Sequence, residues 1–246
     1  MAKKPVRNVA IIHYNTPELT EAAIRSLRKH GGEDYKVFVF DNSDKRPFKK
    51  RMKGVKRLDN TRGQIIDFEE FLMQFPARMK KIGCAAGCNF GSAKHMRTVQ
   101  ELWGIIGEGF LLMESDILIR ESIDHMFMED RAVCGHVIDH QKNNPYHIGR
   151  IMPMLCYMNV PLLVSAGARY FDPERTYGLL DGYWNKKNWY DTGSVLLEDV
   201  RRMKPALVGR HVDIRPLMIH YGSGSWKNNN LERQLKWLDE HKDLWA

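Results

Sequence analysis

No apolar run in this sequence approaches the roughly 20 residues that carry a helix across a bilayer. No secretion signal is expected either. Lys3, Lys4 and Arg7 precede an apolar run from Val9 to Ile12, shorter than the roughly 7–15 residues of a signal-peptide core. The expectation is a cytosolic protein. Cysteine is scarce, with only Cys84, Cys88, Cys134 and Cys156. A chain of 246 residues builds a core without disulfides, and the cytosol keeps thiols reduced. Cys84 and Cys88 are spaced C-x3-C, but no second Cys or His pair stands at zinc-finger spacing, so all four read as packing residues. Low-complexity segments, internal repeats and linkers are absent. With 43% hydrophobic and 28% charged residues, global disorder is excluded and one domain is expected.

Other absences exclude chemistries. No G-x-G-x-x-G follows the first apolar run, which argues against a dinucleotide-binding dehydrogenase. Asp191-Thr192-Gly193-Ser194 spells an aspartic-protease signature. That chemistry needs two such acids sharing a proton, and no second D-T/S-G is present. A nucleotidyltransferase should carry a glycine- and arginine-rich phosphate loop after its first strand. Asn15-Thr16-Pro17 stands there instead.

What the chain has in excess is positive charge, a net +8, and eight Lys or Arg fall within residues 45–57. Such a run reads either as a solvated loop or as a contact for something anionic: membrane lipid, a lipid pyrophosphate or nucleic acid. Phe48 is its one aromatic residue, which weakens a base-stacking role.

Periodicity supplies the elements. Asn8 to Tyr14 (NVAIIHY) reads as a buried strand. Thr16-Pro17-Glu18 then gives a helix cap, a first-turn proline and a first-turn acid. Leu19, Ala23 and Leu27 share a helical face, and Gly31-Gly32 ends it. Tyr35 to Phe40 (YKVFVF) is a second strand. Strand, helix and strand in so short a span predict parallel pairing. Residues 45–63 read as a basic loop, 67–75 as a short helix stopped by Pro76, and 83–91 as a tight glycine-rich connection. Met96, Val99, Trp103 and Ile106 recur at helical spacing; Phe110–Met113 and Ala132–Ile138 are further strands. A long apolar stretch, 151–167, is broken by Pro153 and Pro161. Residues 171–194 read as a substrate-facing loop, and Leu231, Leu235 and Leu238 as the stripe of a C-terminal helix.

In an open parallel sheet, ligands bind at the carboxyl ends of the strands. The first strand ends in Tyr14-Asn15, the second in Asp41-Asn42-Ser43, and a later one in Glu114-Ser115-Asp116. Each alone is ordinary turn chemistry. Together, on one edge, they read as a site.

These residues resemble a known family. The segment VAIIHYNTPELTEAAIRSL…YKVFVFDNSD is similar to the N-terminal half of family 2 glycosyltransferases with the GT-A fold. GCAAGCNFGSA resembles that family's segment before its central helix, and FLLMESDILI the strand bearing its DxD metal motif. IHYGSGSW, residues 219–226, is similar to a C-terminal histidine segment of related members. The resemblance covers residues 8–125 best. It implies an α/β single domain with a central mixed, mostly parallel sheet flanked by helices. A nucleotide-sugar half would span 1–125, and an acceptor half with the C-terminal helix 126–246.

It implies an enzyme too, moving a sugar from a nucleotide-diphosphate donor, UDP- or dTDP-sugar favoured, to a hydroxyl acceptor with inversion. The acceptor would be a glycan, a lipid-linked glycan or modified DNA. Asp41 would accept a hydrogen bond from the base, since a carboxylate suits an N–H donor. Tyr14, Asn15 and Asn42 would line the base and ribose pocket. Gly87, Asn89 and Gly91 would let backbone approach the nucleotide. Asp116, with His220, would hold Mn²⁺ or Mg²⁺ on the diphosphate through hard oxygen and imidazole ligands. Glu114 departs from the strict DxD pattern and, with Ser115, would touch the ribose or act through water. Asp191, beside Trp189 and Tyr190, would take the acceptor proton, with Asp181 the second choice and Glu198-Asp199 the third. The competing class is a basic nucleic-acid-binding protein on a degenerate transferase fold. Residues 45–57 would give it, or a transferase, a peripheral contact with nucleic acid or membrane.

Overall fold

The computed structural model describes residues 6–31, 34–74, 84–85, 88–138, 149–173, 175, 190–204, 209–222 and 230–246. Of the predicted site residues, Gly87 and Asp181 lie outside these, as does the side chain of Asn89. The chain divides into two compact units, each assembled from separated segments.

The first unit holds residues 1–65, 110–127 and 213–246. Strand β1 (Arg7–His13) leads to helix α1 (Pro17–Gly31) and strand β2 (Tyr35–Asp41). Parallel register pairs Val9 with Val37 and Ile11 with Val39. Strand β3 (Val55–Asp59) adds to the far side of β2, also parallel. It lies inside the stretch expected to be a loop. Its Val-Lys-Arg-Leu-Asp sequence alternates along a sheet margin, and the excess of lysine hides the pattern. Val9, Ala10 and Ile11 are all fully buried, as are Val37 and Val39. Burial of successive residues means both faces of these strands are covered, so they read as unbroken apolar runs.

Helix α1 places Glu18 in its first turn and Arg28, Lys29 and His30 in its last, the favourable sense for its dipole. It buries Leu19, Ala22, Ala23, Ile24 and Leu27. Helix α2 (Phe68–Met73) belongs to the second unit and is capped by Asp67, whose side chain accepts from the N–H groups of Glu69 and Glu70.

The second unit holds residues 66–109 and 128–212. Short strands β4 (Cys84–Ala85) and β5 (Cys88–Asn89) pair antiparallel and open helix α3 (Phe90–Ile106). Met96, Val99, Leu102 and Trp103 form its buried face. In the first unit, β6 (Phe110–Glu114) joins β1 in parallel, followed by β7 (Ile117–Ile119). Back in the second, β8 (Val133–Ile138) pairs antiparallel with β9 (Arg150–Met158). The apolar stretch thus splits into a strand and a helix. Pro153 falls between the paired residues Ile151 and Cys156, opposite an irregularity at Gly135–Val137, where the ladder makes no call on its missing N–H. Pro161 sits in the first turn of α4 (Val160–Ser165), capped by Asn159.

Helix α5 (Ser194–Arg201) starts after Gly193. That glycine has φ 83°, and a Cβ there would lie 2.1 Å from the Ile151 carbonyl oxygen. Strand β10 (Gly209–His211) pairs parallel with β8. In the first unit, β11 (Met218–His220) pairs antiparallel with β7, and α6 (Leu231–Glu240) is the C-terminal helix. The class is α/β, with mixed, mostly parallel strands and flanking helices. Cys134 and Cys156 are buried free thiols, in keeping with their packing role. Among the described residues no helix is long and apolar enough to cross a membrane.

Candidate metal centre

The first unit's parallel register aligns its strand ends. His13 faces Asp41, Asp41 faces Asp59, and Glu114 stands beside Ile12. Tyr14, Asn42 and Ser115 therefore leave the sheet at one edge. A turn follows Glu114 and reverses into β7, and the β7–β11 ladder sets His220 opposite Ile117. The Tyr221 N–H closes that ladder on the Asp116 carbonyl at 2.9 Å. Two distant stretches of sequence thus bring an imidazole onto two carboxylates.

His220 Nε2 lies 3.3 Å from Asp116 Oδ1 and 3.5 Å from Glu114 Oε2. All three offer ligand atoms within 4.8 Å of one another. Side-chain exposure is 26% for Glu114, 11% for Asp116 and 30% for His220, so the cluster is recessed but reachable. Burial alone would depress the His220 pKa. The hydrogen bond to Asp116 and the charges of Asp116 and Glu114 outweigh it and raise the value. Carboxylate oxygens with one imidazole suit a hard or borderline divalent cation such as Mg²⁺ or Mn²⁺. The spacing is right, since oxygen ligands about 2.0–2.6 Å from one ion lie a few ångströms apart. Ser115 is buried, its hydroxyl 3.5 Å from that of Thr16. The acidic turn is thereby held against the start of α1, where backbone N–H groups favour anions.

The other predicted residues at this edge have different placements. Asp41 is completely buried. Its Oδ1 accepts from the Ser43 N–H at 3.1 Å, and its Oδ2 from the Phe48 N–H at 2.9 Å and Arg57 Nε at 2.8 Å. These bonds fold the chain back after β2. Asn15 is buried too, with φ 58°. Its Oδ1 accepts from the N–H groups of Lys45 and Arg46 at 3.0 and 2.9 Å, and its Nδ2 donates to Asp44 at 2.5 Å. Asn42 accepts from Asn60 at 2.9 Å. Tyr14 is 39% exposed. A cleft of about 350 Å³ is lined by Asn15, Lys45, Arg46 and Leu231.

Sequence reasoning passed over His13, Thr20 and Arg57. His13 is fully buried, its Nδ1 2.7 Å from the Thr20 hydroxyl and its Nε2 3.1 Å from the Arg46 carbonyl. A carbonyl only accepts, so Nε2 carries the proton and Nδ1 is the acceptor, facing a Thr20 hydroxyl whose one proton is shared with the Thr16 carbonyl at 3.1 Å. Burial lowers its pKa against the opposing pull of Asp41, keeping the ring neutral. Its position at the end of a buried strand was the available signal. Arg57 was obscured by the basic run.

Asp191 belongs to the second unit. Its Oδ2 accepts from Arg150 Nη1 at 2.5 Å. Its Oδ1 accepts from the Ser92 hydroxyl at 3.0 Å and the Thr192 N–H at 2.7 Å. Glu198 and Asp199 meet Arg175 at 2.8 and 2.7 Å. Those two acids are committed to an ion-pair cluster on α5.

No protein-family model and no curated protein sequence matches the chain. Solved structures do match its fold. An active-site mutant of LgtC aligns with TM-score 0.50 at 11% identity, over 85% of this chain and 73% of that one. The galactosyltransferase LgtC in complex with donor and acceptor sugar analogs gives 0.45 at 11%, over 77% and 69%. Apo mouse xyloside xylosyltransferase 1 gives 0.48 at 7%, over 85% of each chain. The first of these carries the comparison: the fold is of the GT-A kind.

Proposed function

We propose that this chain is a glycosyltransferase that moves a sugar from a UDP- or dTDP-sugar to a hydroxyl acceptor with a divalent cation. The observation that carries the reading is the convergence of Glu114, Asp116 and His220 at the carboxyl edge of a parallel sheet. The resemblance to family 2 glycosyltransferases and the GT-A fold support it. Mn²⁺ or Mg²⁺ bound there would neutralise the diphosphate as it leaves. Asp116 is the principal ligand, with His220 completing the site and Glu114 binding directly or through water. Ser115 and the first turn of α1 face the phosphates and ribose. Tyr14 and the 42–46 turn meet the base. Asp41 and Asn15 shape that turn from within, because their polar groups are already engaged by it.

The acceptor hydroxyl loses its proton to a carboxylate as it attacks the anomeric carbon, and a single direct displacement inverts the configuration. Asp191 is the proposed base. Its hydrogen bonds to Arg150 and Ser92 fix where the carboxylate sits. Asp191→Asn should then abolish turnover while leaving donor binding intact.

The decisive test is thermal stability with UDP, dTDP, GDP and CDP, each with and without Mn²⁺. Ligand at 100 times its Kd adds about 2.7 kcal/mol of stability by mass action. A rise with UDP or dTDP that needs Mn²⁺ is expected, and Asp116→Asn should remove it without lowering the unliganded melting temperature. No rise with any nucleotide overturns the proposal.

A further inference from the structure

One feature of the first unit lies outside the nucleotide site: a basic face built from the second half of α1, the loop between β2 and β3, and the C-terminal turn. Arg25 and Lys29 are exposed on α1. Lys49, Arg51 and Lys53 are exposed on the loop. The pieces are fastened to one another. Arg28 donates to the Lys53 carbonyl, and Lys29 Nζ donates to the carbonyls of Asp243 and Ala246 at 2.7 and 3.1 Å. The cations therefore occupy one surface. Glu21 is shared between Arg25 at 2.9 Å and Lys50 at 3.3 Å, so even that pairing leaves an excess of positive charge.

Between the cations lies a cleft of about 360 Å³ lined by Arg25, Arg28, Met52 and Trp245. Trp245 spends its indole N–H on the Leu238 carbonyl at 3.0 Å. What it turns to the cleft is apolar ring. Cations alternating with a thioether and an indole match the chemistry of a bilayer interface, where headgroup phosphates meet the first carbons of the tails. A nucleic acid would use rings on which bases stack. The cleft's lining offers a single ring, that of Trp245, and the loop's one aromatic residue, Phe48, is fully buried.

We propose that this face docks the protein on an anionic lipid bilayer, with headgroup phosphates against α1 and the 49–53 loop and with Met52 and Trp245 at the interface. The attraction is electrostatic first, so it weakens with salt. It does not depend on the transferase assignment.

Sedimentation of the full chain with phosphatidylcholine vesicles, with and without phosphatidylglycerol, tests this. Binding to the phosphatidylglycerol vesicles alone is expected, falling as salt rises. Reversing three cations (Lys49→Glu, Arg51→Glu, Lys53→Glu) should weaken it by more than the roughly 100-fold that losing three cations, at about fivefold each, would give. The neutral set (Lys49→Gln, Arg51→Gln, Lys53→Gln) should fall between. Both sets should keep the parent's melting temperature and its nucleotide-dependent rise, since none of these side chains lies at the metal centre. Equal sedimentation with both vesicle types overturns the proposal. So does binding unchanged in the reversed variant, or tighter capture by a random DNA duplex than by the anionic vesicles.

Discussion

At the scale of single residues, Asp41 shows how a site residue and a scaffold residue can share one sequence signal. An aspartate after a strand reads equally as a base-binding acceptor and as a turn-former. Burial separates the two. With no exposure and two backbone N–H groups plus Arg57 on its oxygens, its carboxylate organises the 43–48 turn. Removing a partner from a buried ion pair costs about 3–5 kcal/mol. Asp41→Ala should therefore lower stability by about that amount, measured by denaturant unfolding. Asp41→Asn should leave the ranking of UDP over CDP unchanged in binding assays. A carboxylate reading the base would instead show the opposite pattern: unaltered stability and a shifted ranking. The place of Asp116, just after a buried strand, was legible in the local pattern. His220 was named from its own segment, IHYGSGSW, and the β7–β11 ladder is what sets it beside Asp116.

At the scale of elements, periodicity located most strands and helices and erred where context overrode it. The C-terminal stripe of Leu231, Leu235 and Leu238 predicted one buried face for α6. The helix instead buries Gln234 and Leu238, and leaves Leu231 and Leu235 at 43% and 49% exposure. Leu238 joins Leu19, Ala22 and Leu118 in a core cluster, with Trp237, Trp245 and Tyr221 packed against it. Aromatic residues supplied by the flanking segments decide which way the helix turns. Leu238→Ala should cost about 2–4 kcal/mol as a cavity-forming change. Leu235→Ala should fall within about 0.5 kcal/mol of the parent. Chemical denaturation of both variants checks the rotation of the helix, because the two leucines differ only in the side they face. The same lesson holds for β3, hidden by its lysines, and for Pro153, admitted to β9 by an irregular ladder.

At the scale of the whole molecule, His13 and His95, whose pKa values desolvation lowers, are expected to shape the acid limb of stability. Burial pushes His95 of α3 down to about 4, only partly offset by Asp191, and it lowers His13 as well. Between pH 6.5 and about 4 the unfolded chain binds protons that folded His95 does not, so stability falls as pH falls through that window and is level above it. His220, with a raised pKa, works in the opposite sense: its contribution is present below 6.5 and is lost as pH rises through its folded value. The expected net trend is a melting temperature that declines from pH 7 toward pH 4. His95→Asn should flatten that decline, and an unchanged slope would remove His95 as its cause.

The α/β class, the βαβ opening, the parallel first strands and the acidic strand ends were all determined by local sequence. Each rests on interactions between residues near one another in the chain: apolar runs, helix caps and turn chemistry. What required tertiary structure was everything set by long-range contact. The chain forms two compact units from interleaved segments. Asp41 is sealed inside a turn by Phe48 and Arg57, and an imidazole from the C-terminal part closes on Glu114 and Asp116. Charge shows the division most plainly. The sequence fixes that eight cations lie between residues 45 and 57. Only the fold decides that Arg46 pairs with Glu18 and Arg57 with Asp41 while Lys49 and Arg51 face solvent, because a partner's distance in space is not encoded by its distance along the chain.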